Sequence, residues 1–403
     1  MKVFVAGATG AVGRPLVGQL LKAGHDVLGT TRRKERAADL RAQGVEPVIV
    51  DALDADALAA AARRARPDVV VQQLTALPQA GTAGASDHAA TSRLRVEGTR
   101  ALLRGAPDAR MIAQGFASLT RPDGRPVHDE DAELFVDGPG SVGVNARALR
   151  EMEADVGRAG GLSLRYGFLY GPGTWYHRDG ASARRIAEGR VPIVGDGQGR
   201  WSWVHVDDVV AATMGALERG QGVLNICDDE PAPMAEWLPH AARVLGADPP
   251  PQTPTSLVHE TAGPELVYYG TRMPGASNAR AKAALGWIPA WPSWRRGFER
   301  ELGDLAAQAV PGRPRRETRP AGQRGNPAIG GRALREDRQG ARAGEDPECC
   351  ARVQSAQLPL EARQDGDAVG APEDAGMAAA ANPGANAVGG EPKGGTTKTP
   401  WGR

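Results

Sequence analysis

Lysine is scarce in this chain of 403 residues: ahead of position 311 it occurs only as Lys2, Lys22, Lys34 and Lys282, so most of the positive charge is arginine. Chemistry that needs an ammonium group at any other position there is excluded. Cysteine numbers three, with Cys349 and Cys350 adjacent far downstream and Cys227 alone. No disulfide framework or cysteine metal cluster can be assembled from them. His25, His88, His128, His240 and His259 are scattered without an HxxxH pair, which leaves no metal site to predict. An excess of one charge is missing too: 49 basic residues face 48 acidic ones. That balance gives no field favouring nucleic acid or an anionic membrane. No apolar run approaches the ~18 residues that cross a bilayer. A strand-like pattern begins at Val3 with no basic, leader-like stretch before it, so the expected compartment is cytoplasmic.

Glycine and proline are abundant, at 53 and 31 residues, and their excess is uneven. From Pro311 to Arg403, 26 of the 93 residues are Gly or Pro and seven are Leu, Ile, Val or Phe. Such a segment cannot bury a core, which predicts a disordered tail. Its basic stretch Arg313-Pro-Arg-Arg316 is diluted by Glu336, Asp337, Glu345 and Asp346, so a nucleic-acid arm is not expected. The remaining residues, roughly 310, suffice for one α/β domain and a smaller lobe.

Apolar runs at Lys2–Ala6, Asp26–Thr31, Val45–Val50, Asp68–Gln72, Arg110–Gln114 and Gly161–Tyr166 read as strands. Helical periodicity fills the gaps, at Arg14–Ala23, Arg33–Gln43, Ala55–Arg64, Asp87–Arg104 and Ala146–Arg158. Strict alternation of the two predicts a Rossmann-type doubly wound parallel sheet with helices on both faces. Directly after the first strand stands Gly7-Ala8-Thr9-Gly10-Ala11-Val12-Gly13, opening the first helix. Glycines at this spacing allow the tight turn and let the backbone approach a pyrophosphate, whose charge the helix N-terminus stabilises. NAD-specific sites end the second strand in an acid; this one ends Thr31-Arg32-Arg33, with no carboxylate before Glu35. Guanidinium groups there suit a 2′-phosphate, so NADP is favoured, with NAD the alternative. After the third strand, Asp51-Ala52-Leu53 is placed to hold the adenine end, the carboxylate accepting from the amine and Leu53 covering the ring.

Together these segments resemble the extended or atypical short-chain dehydrogenase/reductases of the NAD-dependent epimerase/dehydratase group. The resemblance rests on the glycine loop, Asp51-Ala-Leu53, Val96-Glu-Gly-Thr99, Leu164-Arg-Tyr-Gly-Phe-Leu-Tyr-Gly-Pro172, Val204-His-Val-Asp-Asp208 and Leu285-Gly-Trp-Ile-Pro289. It implies a dinucleotide-binding domain over 1–166, with 204–227 returning to it. A smaller C-terminal substrate lobe follows from 167–203 and 228–310, and the tail is 311–403. It implies a nicotinamide cofactor, a small-molecule substrate and a homodimer formed through the helices at Asp87–Arg104 and Ala146–Arg158. By position, Gln73, Leu74 and Thr75 would line the cofactor channel and Tyr166 would sit near the nicotinamide.

The resemblance also implies a hydroxyl after the fifth strand and a YxxxK pair on the next helix, the phenol moving a proton and the lysine tuning it. A count excludes the pair. The five tyrosines are Tyr166, Tyr170, Tyr176, Tyr268 and Tyr269, and four residues beyond them stand Tyr170, Thr174, Gly180, Arg272 and Met273. On the helix itself the two registers give Gly143 with Arg147, or Asn145 with Leu149; the hydroxyl position falls on Gly115. Ser118 and Tyr170 become the substitute proton donors, Tyr170 lying where the cleft is expected to open. His205 is expected to cap the following helix. Trp201 occupies the place where nucleotide-sugar enzymes carry an arginine, with Arg200 one residue early and so on the opposite face. An apolar or aromatic ligand suits Phe116, Trp175, Trp201 and Trp203 better. The leading reading is an oxidoreductase or epimerase-type enzyme on a small molecule; the alternatives are a catalytically silent dinucleotide sensor or scaffold, and a nucleotide-sugar epimerase.

Overall fold

The computed structural model describes residues 1–78 and 83–303; the tail expected at 311–403 lies outside them. Strands β1 (Lys2–Ala6), β2 (Asp26–Thr31), β3 (Glu46–Ile49), β4 (Val69–Gln72), β5 (Arg110–Phe116), β6 (Leu162–Tyr166) and β7 (Gly222–Ile226) form one sheet in the order β7-β6-β5-β4-β1-β2-β3. Every pairing in it is parallel. Strand direction explains the apolar runs. Val3 and Val5 of β1 join one core while Phe4 and Ala6 join the other, and all four are fully buried. A parallel sheet covered on both faces demands such runs.

Helix α1 (Gly13–Lys22) buries Leu16, Val17 and Leu20 on one face. It lies beside α7 (Val206–Ala216), whose Val206, Val209 and Val210 share that core. On the opposite face are α3 (Ala55–Ala65), α5 (Thr99–Gly105) and α6 (Ser141–Arg158). Asp54 caps α3 by accepting from the Ala57 N–H at 3.0 Å, and alanines line its inner face. Those small side chains let α5 in so closely that a Cβ on Gly105 would stand 2.4 Å from the Ala59 carbonyl oxygen.

Two helices depart from the sequence expectation. The stretch read as one helix over Asp87–Arg104 is α4 (Ala85–Arg93), a π-helical turn (Leu94–Gly98) and then α5. The widened turn brings Gly98 against Leu74 and sets the Thr99 hydroxyl to accept from the Gln72 amide at 3.3 Å. Helix α6 starts at Ser141, five residues before the expected Ala146, because buried Val142 already packs into the core.

Beyond β6 the strands shorten. Phe168–Tyr170 pairs parallel with Trp203–His205, and Arg200–Trp201 pairs antiparallel with Ala232–Pro233. The stretch 200–205 thus divides between two partners. His205 caps α7 as expected, its Nδ1 accepting from the Asp207 N–H at 3.1 Å. Helix α8 (Trp294–Leu302) closes the described chain and buries Trp294, Phe298 and Leu302. Among the described residues no helix is long and apolar enough to cross a membrane.

Candidate cofactor and reaction site

The glycine loop has a distinct need at each glycine. Gly7 has φ 95°, and a Cβ there would lie 2.7 Å from the Gln73 carbonyl oxygen. A Cβ on Gly13 would lie 2.1 Å from the Gly7 carbonyl oxygen, and the Gly10 N–H closes the turn onto that same oxygen at 3.1 Å. Ala8 is buried beneath Gly29, whereas Thr9, Gly10 and Ala11 keep partial exposure above the start of α1; Val12 turns into the core. Thr30 is a residue sequence reasoning missed: its hydroxyl accepts from the Gly7 N–H at 2.9 Å and fixes the turn to β2. No motif marks it, since only the register of β1 on β2 brings it there. The cradle is open where a diphosphate needs it and backed by a helix N-terminus, so these residues fit a dinucleotide.

At the end of β2 the Thr31 hydroxyl accepts from the Arg33 N–H at 3.2 Å. Arg32 and Arg33 are exposed and enter no ion pair among the described residues. Asp51 binds its own turn, accepting from the Leu53 N–H at 3.1 Å, with Ala52 buried and Leu53 half-buried beside it.

Above β4 the cofactor-channel residues carry a directional hydrogen-bond chain. The Gln73 amide donates to the Tyr166 hydroxyl at 2.8 Å, which stands 3.2 Å from the Thr213 hydroxyl, itself donating to the Val209 carbonyl at 2.8 Å. Since Thr213 spends its proton on Val209, the Tyr166 proton points to Thr213. Burial pushes the Tyr166 phenol up to about 12, against the opposing pull of its Thr213 and Gln73 bonds. Gln73 Oε1 is buried without a partner among the described residues. The Leu74 N–H donates to Gln72 Oε1 at 3.3 Å, and Thr75 is half-buried next to it.

A loop returns over this floor. Gly173 (φ 80°) faces Ala11 of the glycine loop, and the Trp175 indole donates to the Pro78 carbonyl at 2.9 Å. Gly171-Pro-Gly173 is therefore held close to the glycine loop.

The expected reaction machinery is displaced. Tyr170 does not stand in an open cleft: it is fully buried, edge-on to His205 and Phe298, and its hydroxyl has no partner among the described residues. Gly297 of α8 makes room for that hydroxyl, and burial, followed by the charges of Asp228 and Asp208, pushes the phenol well up. Ser118 is 1% exposed and its hydroxyl is likewise unpartnered. Trp201 and Trp203 are interior, stacked 5.6 Å apart against Trp237, rather than cleft-lining. Phe116 and Phe168, an edge-on pair at 5.0 Å, and Trp175 retain partial exposure. Position 143 has no room for a phenol: a Cβ there would meet the Gly138 carbonyl oxygen at 2.5 Å and that of Val136 at 3.1 Å. At Gly115 a Cβ would meet Leu149 Cδ1 at 2.9 Å and Arg165 Cγ at 3.1 Å. Arg147, exposed, donates to the Val136 carbonyl.

A seven-stranded doubly wound sheet carrying a glycine cradle at its first strand–helix turn defines a dinucleotide-binding protein of the Rossmann class. The family model described as NAD dependent epimerase/dehydratase matches residues 3–227, and the chain belongs to that family. It is 47% identical over 308 residues to a protein of Streptomyces sp. described as a 3-diazoavenalumate denitrifying reductase, covering 75% of this chain and 100% of that one. Its fold is similar to that of a human epimerase family protein crystallised with NADPH (TM-score 0.59, 21% identity, 76% of this chain and 99% of that one). It is also similar to UDP-glucose 4-epimerase of Thermotoga maritima (TM-score 0.58, 20% identity, 76% and 99%).

Proposed function

We propose that this protein is a nicotinamide-dependent reductase that replaces the diazo group of a small aromatic compound with hydrogen and releases N2. The observation that carries the reading is the glycine at 143, walled by backbone, in a chain 47% identical to a denitrifying reductase across that protein's full length. When bound, the reduced nicotinamide supplies a hydride, and a carbon bearing a diazonium group accepts it while the C–N electron pair leaves with N2, so no proton is consumed. A carbonyl substrate, by contrast, needs a proton donor as well as the hydride. An enzyme for the first kind of substrate loses nothing by having no phenol on α6.

The residues then divide by task. Gly7, Gly10, Gly13 and the N-terminus of α1 hold the diphosphate. Arg32, Arg33 and Thr31 take a 2′-phosphate, which favours NADP over NAD. Gln73 and Tyr166 position the nicotinamide end, Tyr166 as a fixed dipole whose proton is committed to Thr213. Phe116 and Phe168 form the aromatic wall against which a flat substrate rests. A nucleotide sugar has less support, because the position where such enzymes carry a diphosphate-binding arginine holds Trp201, which is buried and stacked on Phe168.

The test uses purified protein, an arene diazonium carboxylate and NADPH labelled with deuterium at the transferable position. Cofactor oxidation coupled to N2 release, with deuterium on the product ring, is expected. Cofactor that binds but is oxidised only with carbonyl substrates would refute the diazo reading. Binding without any turnover would favour the sensor or scaffold alternative.

A further inference from the structure

Arg95 is 7% exposed and stands on the π-helical turn between α4 and α5. Thr91, Gly98 and Thr99 stand on either side of it in the same helical stretch and meet β4 and the loop that follows: the Thr91 hydroxyl accepts from the Ala76 N–H at 3.1 Å, Gly98 faces Leu74, and Thr99 receives the Gln72 amide. The stretch that carries Arg95 is thus packed on the C-terminal end of β4, where Gln73, Leu74 and Thr75 follow.

On its other side Arg95 reaches α6. Its Nη1 donates to Asn145 Oδ1 at a long 3.4 Å. The Asn145 amide is held by the Ser141 carbonyl at 2.8 Å and lies 3.2 Å from His88 Nδ1. Asn145 is two residues beyond Gly143, so the guanidinium rests against the stretch of α6 that carries no lysine.

No carboxylate lies within 4 Å of Arg95 among the described residues. Glu153, the acid that acts on it at longer range, is already matched by Arg165, which grips both its oxygens at 2.7 Å, and by the Ser163 hydroxyl. A guanidinium presents five donors in a rigid fork, and buried ones are ordinarily paired. Here one long bond to a neutral amide is the only side-chain hydrogen bond of the group among the described residues. Burial accordingly pulls the group down to about 10, the mark of a cation without its counter-charge.

We propose that Arg95 binds the ribose and phosphate oxygens of the nicotinamide half of the cofactor, supplying from the α4 side the cation that α6 lacks. This rests on the dinucleotide-binding part of the reading above and is independent of the diazo substrate. The Asn145 side chain is its positioning residue, setting the fork across the channel.

The experiment measures binding of NADPH, reduced nicotinamide mononucleotide and 2′,5′-ADP to the full chain by calorimetry, for wild type, R95Q and R95K. A lost charge-assisted bond corresponds to about a 10- to 100-fold change in affinity. R95Q is expected to weaken NADPH and the mononucleotide by that factor while leaving 2′,5′-ADP within about twofold. R95K, which keeps the charge but not the fork, should recover part of the loss. Retained 2′,5′-ADP binding also reports that each variant is folded, and R95M replaces R95Q if the glutamine variant is not. Unchanged mononucleotide binding in R95Q would overturn the proposal, as would an equal loss of 2′,5′-ADP. Intact cofactor binding with a raised KM for the diazonium compound would overturn it too, moving Arg95 to the substrate. Wild type that binds none of the three probes would overturn the cofactor reading itself.

Discussion

A Cβ at position 143 points at backbone, whereas one at position 115 points at side chains, and the difference fixes what each site tolerates. Carbonyl oxygens of Gly138 and Val136 cannot withdraw without moving the loop that precedes α6; Leu149 Cδ1 can rotate away. Gly13 is tighter still, its Cβ direction ending 2.1 Å from the Gly7 carbonyl. Overpacking of this kind costs about 1–3 kcal/mol, more when backbone must yield. Alanine substitutions should therefore lower stability in the order G13A, G143A, G115A, with about 1 kcal/mol or less for the last. Urea unfolding midpoints check the order, and G13A should lose NADPH binding as well. The same logic predicts that G143Y with R147K fails to install an acid: it should unfold at lower urea than G143A, without gaining carbonyl reduction. The sequence census established that the phenol is missing. That backbone occupies its place was not legible, because the loop over 135–138 is brought there by tertiary packing.

At the scale of elements, the sheet was readable because its central strands are buried on both faces, which forces continuous apolar runs; the alternation of β1 to β6 with helices follows. The π-helical turn was not readable, since no proline marks it and the residues it meets, Leu74 and Gln72, come from another element. Trp201 and Trp203 read as cleft-lining from sequence for a similar reason: aromatic content says nothing of the Trp237 and Phe168 rings that enclose them. Tyr170 was misplaced because α8, over a hundred residues later, closes over it with Gly297. Where the elements do converge, at the junction of β2 with α2 (Lys34–Ala42), the exposed Arg32 and Arg33 should decide cofactor choice. R32A/R33A is expected to weaken NADPH binding by about 10- to 100-fold while leaving NADH within a few-fold, measured by fluorescence titration. The chain from Gln73 through Tyr166 to Thr213 makes a second element-level claim. Y166F removes one link but no proton used in turnover, so kcat should stay within about threefold. Because burial holds the Tyr166 phenol near 12, wild-type and Y166F profiles should run parallel from pH 6 to 10. A limb present in wild type and absent in Y166F would assign Tyr166 an acid's role.

At the scale of the whole molecule, the segment leaving β7 joins the sheet to the C-terminal packing. The Cys227 thiol donates to the Ala276 carbonyl at 3.2 Å, the Asp228 N–H to the Trp203 carbonyl at 2.7 Å, and the Asn278 amide to the Cys227 carbonyl at 2.7 Å. Asp228 is the weak member. It is 2% exposed, its Oδ1 accepts from the Glu230 N–H at 3.2 Å, and its Oδ2 has no partner among the described residues. Burial first, then the nearby charges of Glu230 and Asp229, raise this carboxyl well above the ordinary value of 3.8, outweighing its backbone hydrogen bonds. The sign follows by linkage. Above the ordinary value the unfolded chain has released the proton while the folded chain keeps it, so the contribution of Asp228 to stability is present at low pH and lost as pH climbs towards the raised folded value. Each unit of pH in that window costs up to about 1.4 kcal/mol. D228N keeps the acceptor for Glu230 and removes the ionisable group. Its Tm minus that of wild type should therefore be near zero or negative at pH 4 and should rise as pH climbs above that, until the raised folded value is reached. A difference that stays flat across that range would mean that Asp228 is ionised in the fold at every pH tested, with a counter-charge at Oδ2 to hold it.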